Sequence, residues 1–323
     1  MKRLSLFVLA FTAPMIVLGD TVFSDTFGDG STINGTPTAP TANTAAYQNW
    51  TQGANPSGYS IAPGALHFAA RSTSSVFSEV QAQFAATPVT LTTIGDYINL
   101  VLVFTDTSHV MLSAQNASAQ LDIGLYNSGG VLPLTGSRLD SGSAATGGAA
   151  GYVGYIGRLF LNGNGGVITR PVQSGGANSS DQDLLFNGAG SGAFNSPTGA
   201  ALGASTATGF TGLTEGSQYT ISYTITLSGL NTLTVDESLY SGASVGGTPI
   251  AIWSNVASGG TFLTDSFDAL AFGWRHHYVS EASSLDINSI TVTDLIQPVP
   301  EPSSLVLFCG SIGLLALVRR FGH

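Results

Sequence analysis

The chain has 323 residues, with nine Lys or Arg against nineteen Asp or Glu and a formal net charge of −10. Between residues 20 and 297 the imbalance deepens to five arginines, no lysine and eighteen acids, a body of about −13 that repels phosphate backbones and anionic lipid, so nucleic acid is not an expected partner. The only cysteine, Cys309, lies close to the C-terminus, which excludes disulfide stapling and thiol chemistry from everything before it.

Taken in chain order, Met1-Lys2-Arg3 is a basic start, Leu4 to Leu18 is an apolar core broken by Thr12 and Pro14, and Val17-Leu18-Gly19 is a small-residue exit. This pattern predicts a secretory signal peptide over 1–19, cut between Gly19 and Asp20, with an uncleaved N-terminal anchor as the alternative. Either way Lys2 and Arg3 stay cytoplasmic and the body from Asp20 onward crosses the inner membrane.

Residues 20–297 read as one all-β domain. Glycine, serine and threonine are plentiful and charge is scarce, while β-branched and aromatic residues are frequent enough to bury a core, which excludes disorder. Val22 to Phe27 reads as a first strand, followed by a Gly28-Asp29-Gly30 turn and a polar loop to about Tyr47. Leu66, Phe68 and Ala70 share one face with His67 on the other, Val76 to Phe84 follows, and Tyr97 to Phe104 is apolar on both faces, as a central strand is. Leu121 to Tyr126 and Tyr152 to Leu161 are further strands around a Gly-rich loop at 140–151. The clearest strand is Tyr219 to Leu227, apolar at every odd position and Ser or Thr at every even one. Ser228 to Asn231 turns it into Leu233 to Leu239. Phe267 to Trp274 and Leu285 to Leu295 complete the set, and the apolar parity slips between Ile287 and Ile290, which predicts a bulge. No stretch carries a sustained helical period. An antiparallel two-sheet sandwich is the expectation. Phe23-Ser24-Asp25-Thr26-Phe27, Ala65-Leu66-His67-Phe68, Phe267 to Phe272 and Ile287 to Val292 together resemble the concanavalin-A-like (laminin-G-like) jelly rolls.

That resemblance implies either carbohydrate binding or glycoside hydrolysis, and each needs its own residues. Hydrolysis needs two carboxylates flanking the sugar bond, which related folds place on one strand as Glu-x-Asp-x-x-Glu; that pattern is absent. The nearest pairs are Asp181/Asp183, which an extended strand puts on one face, and Asp236-Glu237, which adjacency puts on opposite faces. Both are expected at solvated edges or loops. Asp25 and Asp29 flank the first turn as hard oxygen donors, so calcium is the one candidate cofactor. His276-His277 point apart, unsuited to joint zinc ligation, and His67 and His109 stand singly. No Gly-x-Ser-x-Gly elbow or phosphate loop is present. A carbohydrate surface needs exposed rings with polar neighbours: Trp50, Tyr59, Tyr152, Tyr155, Trp253, Trp274 and Tyr278 are the candidates, with Trp50, between Asn49 and Gln52, the best placed and Trp274 assigned to the core.

The last segment, 298–323, is an address. Pro298 to Pro302 hold an extended arm, Ser303 and Ser304 can cap a helix, and Leu305 to Val318 carries no charge, so a transmembrane helix is expected over about 303–318. At about 1.5 Å per residue it covers roughly 24 Å, short of the ~30 Å hydrocarbon core. Arg319 and Arg320 would remain cytoplasmic. Val299-Pro300-Glu301-Pro302, the apolar run and Arg319-Arg320, in that order, resemble the PEP-CTERM sorting signal of exopolysaccharide-producing Gram-negative bacteria. That resemblance implies an exosortase-like membrane protease as partner, transient anchoring in the inner membrane and delivery to the cell surface or extracellular matrix. An ordinary C-terminal anchor is the plainer alternative. With no catalytic constellation in the body, a non-enzymatic exported protein is the leading expectation. A lectin-like module for exopolysaccharide comes second and an unrecognised glycoside hydrolase third.

Overall fold

A computed structural model describes residues 19–27, 47–51, 59–62, 64–70, 76–108, 120–130, 151–160, 164–172, 184–185, 199–206, 212–276 and 283–296. In chain order the strands are β1 (Asp20–Asp25), β2 (Tyr47–Thr51), β3 (Tyr59–Ala62), β4 (Ala65–Ala70), β5 (Val76–Gln83), β6 (Val89–Thr90), β7 (Tyr97–Ser108), β8 (Gln120–Asn127) and β9 (Val153–Phe160). They continue with β10 (Asn164–Arg170), β11 (Ala201–Thr206), β12 (Gln218–Gly229), β13 (Thr232–Ser241), β14 (Ala251–Ser258), β15 (Ser266–Phe267), β16 (Ala269–His276) and β17 (Ser283–Leu295). Eight of them form one sheet in the order β14-β13-β12-β7-β17-β4-β3, with β1 also on β17. Seven form a second in the order β11-β10-β9-β8-β16-β5-β2, and β15 pairs with β6. The pairings in all three sheets are antiparallel.

The period-two pattern dictates this arrangement. Tyr219, Ile221, Tyr223, Ile225 and Leu227 of β12 are buried while the Ser and Thr between them face outward, apart from the buried Thr220. On β7, flanked by β12 and β17, Ile98, Leu100, Leu102 and Phe104 are wholly buried. They meet Ile123, Leu125, Leu159, Val167 and Phe272 of the other sheet in one core shared by both layers. Burying each such side chain contributes about 1.5–3 kcal/mol, the main term holding the layers together. The parity slip on β17 is a register shift between Ile287 and Ser289, as expected. The β12–β13 hairpin closes over Leu230-Asn231, with Gly229 opposite Thr232 and Asn231 in the left-handed region at φ 51°.

The middle strands of the seven-stranded sheet, β8, β9, β10 and β16, are buried on both faces. On the side away from the core, Tyr126, Ile156, Ile168, Ala269 and Ala271 pack with Tyr152, Leu184 and Leu185 into a second apolar cluster. The Tyr126 hydroxyl donates to the Leu184 carbonyl at 3.1 Å.

Several sequence expectations are corrected. Glu237 is not solvated: it holds an inward position of β13 between Val235 and Leu239 and is wholly buried, whereas Asp236 faces outward. Tyr152, Tyr155 and Trp253 are buried and offer no ring to solvent. Strands β2, β3, β10, β11 and β14 form as well, at stretches to which the sequence reading assigns no element. In β14 the inward positions are Ala251, Trp253, Asn255 and Ala257 and the exposed ones include Ile252 and Val256, so its hydrophobicity runs against its burial. Asp25 has a local role, its Oδ1 accepting the Phe27 N–H at 2.7 Å where Phe27 turns to φ 53°. The segments 1–18 and 297–323, and with them the sorting motif, lie outside the described residues, as do Asp29, His109, Asp181, Asp183, His277 and Tyr278.

Candidate functional site

One end of the sandwich gathers the loops that could present chemistry to solvent. There β12 ends and β13 begins, β7 begins after the loop 91–96, and β14 passes through a short turn at Gly259–Thr261 toward β15. Each loop is fastened from below. Asp96 is wholly buried, and its Oδ2 accepts the N–H groups of Thr92 and Thr93, both at 2.8 Å. Gly95, at φ +100°, donates its N–H to the Leu227 carbonyl, and Leu227 returns its own to Asp96, at 2.8 and 2.9 Å. The Tyr155 hydroxyl rises from β9 to accept the Leu263 N–H at 2.7 Å and donate to the Thr261 carbonyl at 3.3 Å. Burial pushes the pKa of that phenol up, against the opposing pull of the Leu263 and Thr264 amides, so it stays protonated. On the far side Thr90 and Ser266 share a hydroxyl hydrogen bond at 2.9 Å, and Leu91 donates its N–H to the Asp265 carbonyl at 2.9 Å.

Between these loops lies a pocket of about 340 Å³. Buried Leu91 and Leu227 line its apolar interior with the half-buried Phe262. Thr90, Thr92, Asn231 and Asp265 supply the polar groups. Ile94 and Leu230 also line it and stand 64% and 90% exposed, giving it an apolar lip. An aromatic edge beside a carboxylate, an amide and two hydroxyls can take a ligand that is apolar on one face and hydroxylated at its rim. No motif in the sequence marks these residues, because they come from three loops far apart in the chain. Only the hairpin turn at 228–231 is signalled.

Asp122 and Arg158 form a second polar set, on the face of the seven-stranded sheet away from the main core. Register aligns Trp50, Glu79, Gly273, Asp122, Arg158 and Gly166 in one row across six strands. Arg158 Nε stands 4.0 Å from Asp122 Oδ2, and Asp122 is wholly buried. Glu79 and Asp122 therefore flank Gly273 from neighbouring strands, a pairing that no motif along a single strand reveals.

A third set is internal. On β12, β13 and β14 the inward residues Tyr223, Glu237 and Trp253 stand side by side in register. The Tyr223 hydroxyl, both Glu237 carboxyl oxygens, Trp253 Nε1 and Asn255 Nδ2 are buried with no hydrogen-bonding partner among the described residues. Opposite them is Gly157, where a Cβ would fall 2.8 Å from the Tyr223 ring and 2.9 Å from Glu237 Oε2. Burial first, then the Asp122 charge, pushes the Glu237 carboxyl well above the usual carboxylate range. Burial first and then Glu237 raises the Tyr223 phenol.

Of the remaining expectations, His67 lies at a half-exposed position with Nδ1 2.7 Å from Asp286 Oδ1. Trp50 and Trp274 lie in β2 and β16 as backbone positions only. Among the described residues no group of three or more His, Cys, Asp or Glu is placed to hold a metal, and no helix is long and apolar enough to cross a membrane.

No family model matches the chain, and no curated protein matches its sequence. Solved structures of similar outline exist. Lectin II from Ulex europaeus is 12% identical, with 80% of this chain and 94% of that one covered and a TM-score of 0.39. The exoplasmic/lumenal domain of VIP36 in a Ca²⁺/Man2-bound form is 11% identical over 88% and 93%, with a TM-score of 0.42. A protein of unknown function from Shewanella oneidensis MR-1 is 12% identical over 90% and 97%, at 0.41. The fold rests on the strand pairing, and what those proteins bind stays with them.

Proposed function

We propose that this chain is an exported, non-enzymatic surface or extracellular-matrix protein whose sandwich binds polysaccharide through the pocket of the 91–96, 227–231 and 259–265 loops. The observation that carries this reading is the pairing of Phe262 with Asp265 and Asn231 around an apolar interior. A sugar ring has an apolar face of C–H groups that packs on an aromatic side chain and a rim of hydroxyls that a carboxylate and an amide can hold. A volume near 340 Å³ sits at the lower end of the range for small-ligand pockets and suits one or two rings. The anionic body disfavours strongly acidic polymers and favours neutral ones. Export rests on Lys2-Arg3 and the apolar 4–18 stretch. A cut after Gly19 would leave β1, which begins at Asp20, whole. Delivery rests on Val299-Pro300-Glu301-Pro302 with Arg319-Arg320, read by an exosortase-like membrane protease.

The test is retention of the full chain on a panel of immobilised neutral and acidic glycans, with Phe262→Ala and Asp265→Asn beside it. Each variant is expected to lose about tenfold or more in affinity, the size of one stacked ring or one charge-assisted hydrogen bond. Retention of no glycan, or retention untouched by both variants, overturns the pocket as the binding site.

One observation favours a hydrolase as the second reading. Glu79 and Asp122 flank Gly273, so their Cα atoms stand about 10 Å apart, two strand spacings, a backbone separation compatible with an inverting pair of carboxylates. Against it, Asp122 is sealed from solvent. Release of reducing sugar that Asp122→Asn abolishes would establish it.

A further inference from the structure

Strand β14 is the last strand on one side of the eight-stranded sheet, and among the described residues no strand pairs with its outer edge. Edge strands of soluble proteins ordinarily carry a lysine, a proline, a bulge or an inward charge that discourages pairing with another chain. From Ala251 to Ser258 there is no charge and no proline, and the register with β13 runs without a shift. The outward face is also apolar where an edge is ordinarily polar. Ile252 and Val256 stand 55% and 53% exposed, and the residues that β13 sets beside them are Ser238 and Thr234, so their own sheet gives them no apolar neighbour across the ladder.

From this edge we infer that β14 pairs with β14 of a second copy of this chain, antiparallel about a two-fold axis at Ser254. The strand's own symmetry selects that occupant. Centred on Ser254, such a pair sets Ile252 opposite the partner's Val256, Ser254 opposite the partner's Ser254 and Ala251 opposite the partner's Ala257. The exposed β-branched side chains therefore meet twice on the outer face. On the inner face the same register sets Trp253 opposite the partner's Asn255. Trp253 Nε1 and Asn255 Nδ2 are buried with no hydrogen-bonding partner among the described residues, and an indole N–H is a donor that an amide oxygen accepts. Moving the axis by one residue breaks both matches. Charge does not forbid the pairing: Asp236, the outward acid opposite Ser254 on β13, would lie three strand spacings, about 14 Å, from the partner's Asp236, beyond the ~8 Å screening length of physiological salt. Because the strands run antiparallel and β14 leads at Ser258 into the turn beside the pocket, the two pockets face opposite ways. On the polysaccharide reading such a dimer ties two polymer chains together, but the pairing itself needs no saccharide.

The test uses the full chain in detergent micelles, with Cys309→Ser to remove its only thiol. Ser254→Cys in that background puts a thiol on the axis, where the two Cα atoms lie about 4.5–5.5 Å apart in either hydrogen-bonding phase, inside the range a disulfide spans. Ser258→Cys, equally outward on β14, is the control: in the paired strands the two copies of that residue lie about 27 Å apart, eight residues' rise at about 3.4 Å each. Under diamide, Ser254→Cys should give a covalent dimer about tenfold or more faster than Ser258→Cys. Adding Ile252→Lys and Val256→Lys should abolish that difference with the circular dichroism unchanged, since both positions are exposed. Association through any other surface links the two cysteine variants alike. Equal rates for Ser254→Cys and Ser258→Cys, or a Ser254→Cys rate untouched by the two lysines, overturn the pairing. Because no glycan is present, failure here leaves the binding test untouched, and failure of that test leaves the pairing standing.

Discussion

Glu237→Gln should make the protein more stable at neutral pH, although it removes a carboxylate from the middle of the fold. Glu237 is wholly buried, both its oxygens lack a partner among the described residues, and its carboxyl is held well above the usual range. A folded-state pKa above the unfolded value, about 4.3 for Glu, means that the native state binds the extra proton. Its stability is then fully present below pH 4 or so and is lost as pH rises toward the folded pKa. Across that window each pH unit removes on the order of 1 kcal/mol, so going from pH 5 to pH 7 removes roughly 2–3 kcal/mol at most. Other titratable groups near the site are Asp122 on β8, Tyr155 on β9 and Tyr223 on β12. The two tyrosines stay neutral throughout, and Asp122 is common to both proteins. Glutamine keeps the shape and cannot ionise. Thermal unfolding of the full chain by near-ultraviolet circular dichroism, from pH 4 to pH 8, should show wild type and variant within about 1 kcal/mol at pH 4. By pH 7 the variant should lead by about 5 °C or more, at about 2–4 °C per kcal/mol for a domain of this size. Parallel stability curves for the two proteins across the whole range would refute the assignment of Glu237 as a buried neutral acid.

Gly157→Ala should cost about 1–3 kcal/mol, read as a lowered urea midpoint, because the added methyl meets the Tyr223 ring and Glu237 Oε2 inside ordinary contact distance. Pairing it with Glu237→Ala should recover part of that loss, and no recovery would place the clash elsewhere. Tyr155→Phe removes the hydroxyl that fastens the 259–265 loop. It should cost about 1–2 kcal/mol in stability and open the loop to limited proteolysis there before the rest of the domain unfolds.

The sequence carries the sheets where period two and hydrophobicity agree, as from Tyr219 to Leu239 and from Tyr97 to Phe104, and even the bulge after Ile287 is visible as a slip in parity. It misleads where the two disagree. In β14 the side chains that point inward include Asn255 and two alanines, while Ile252 and Val256 point to solvent, so an apolar-in, polar-out rule assigns the wrong face or no strand at all. Glu237 misleads in the same way: a carboxylate on an alternating strand reads as an outward residue, and only its parity with Val235 and Leu239, both apolar, signals that it points inward. β10 is hidden by Asn164-Gly165-Gly166, a turn-like start that here runs as strand beside β9. The pocket is beyond reach for a different reason. Its residues share no motif and come together only because β7, β12 and β14 have ends at the same level of the sandwich, a property of topology that no local window contains.

The placement of the pocket follows from what the rest of the surface is already doing. The outward face of β12 and its neighbours is hydroxylated, with Asn99 tied to Ser222 and Thr224 and Ser24 to Thr291, so these polar groups are spent on one another. The outward face of the seven-stranded sheet is occupied by Leu184 and Leu185 over Tyr126, Ile156 and Ala271, and its Asp122 is sealed. Among the described residues the strand ends remain, and of these the end beside Tyr97 is fastened by Asp96, Gly95 and Tyr155 into a concave shape. Rigid support beneath an exposed apolar lip is what a binding loop needs and what a mere connection does not. Asp20 and Leu295 leave the sandwich at that same end, beside the Tyr97 start of β7.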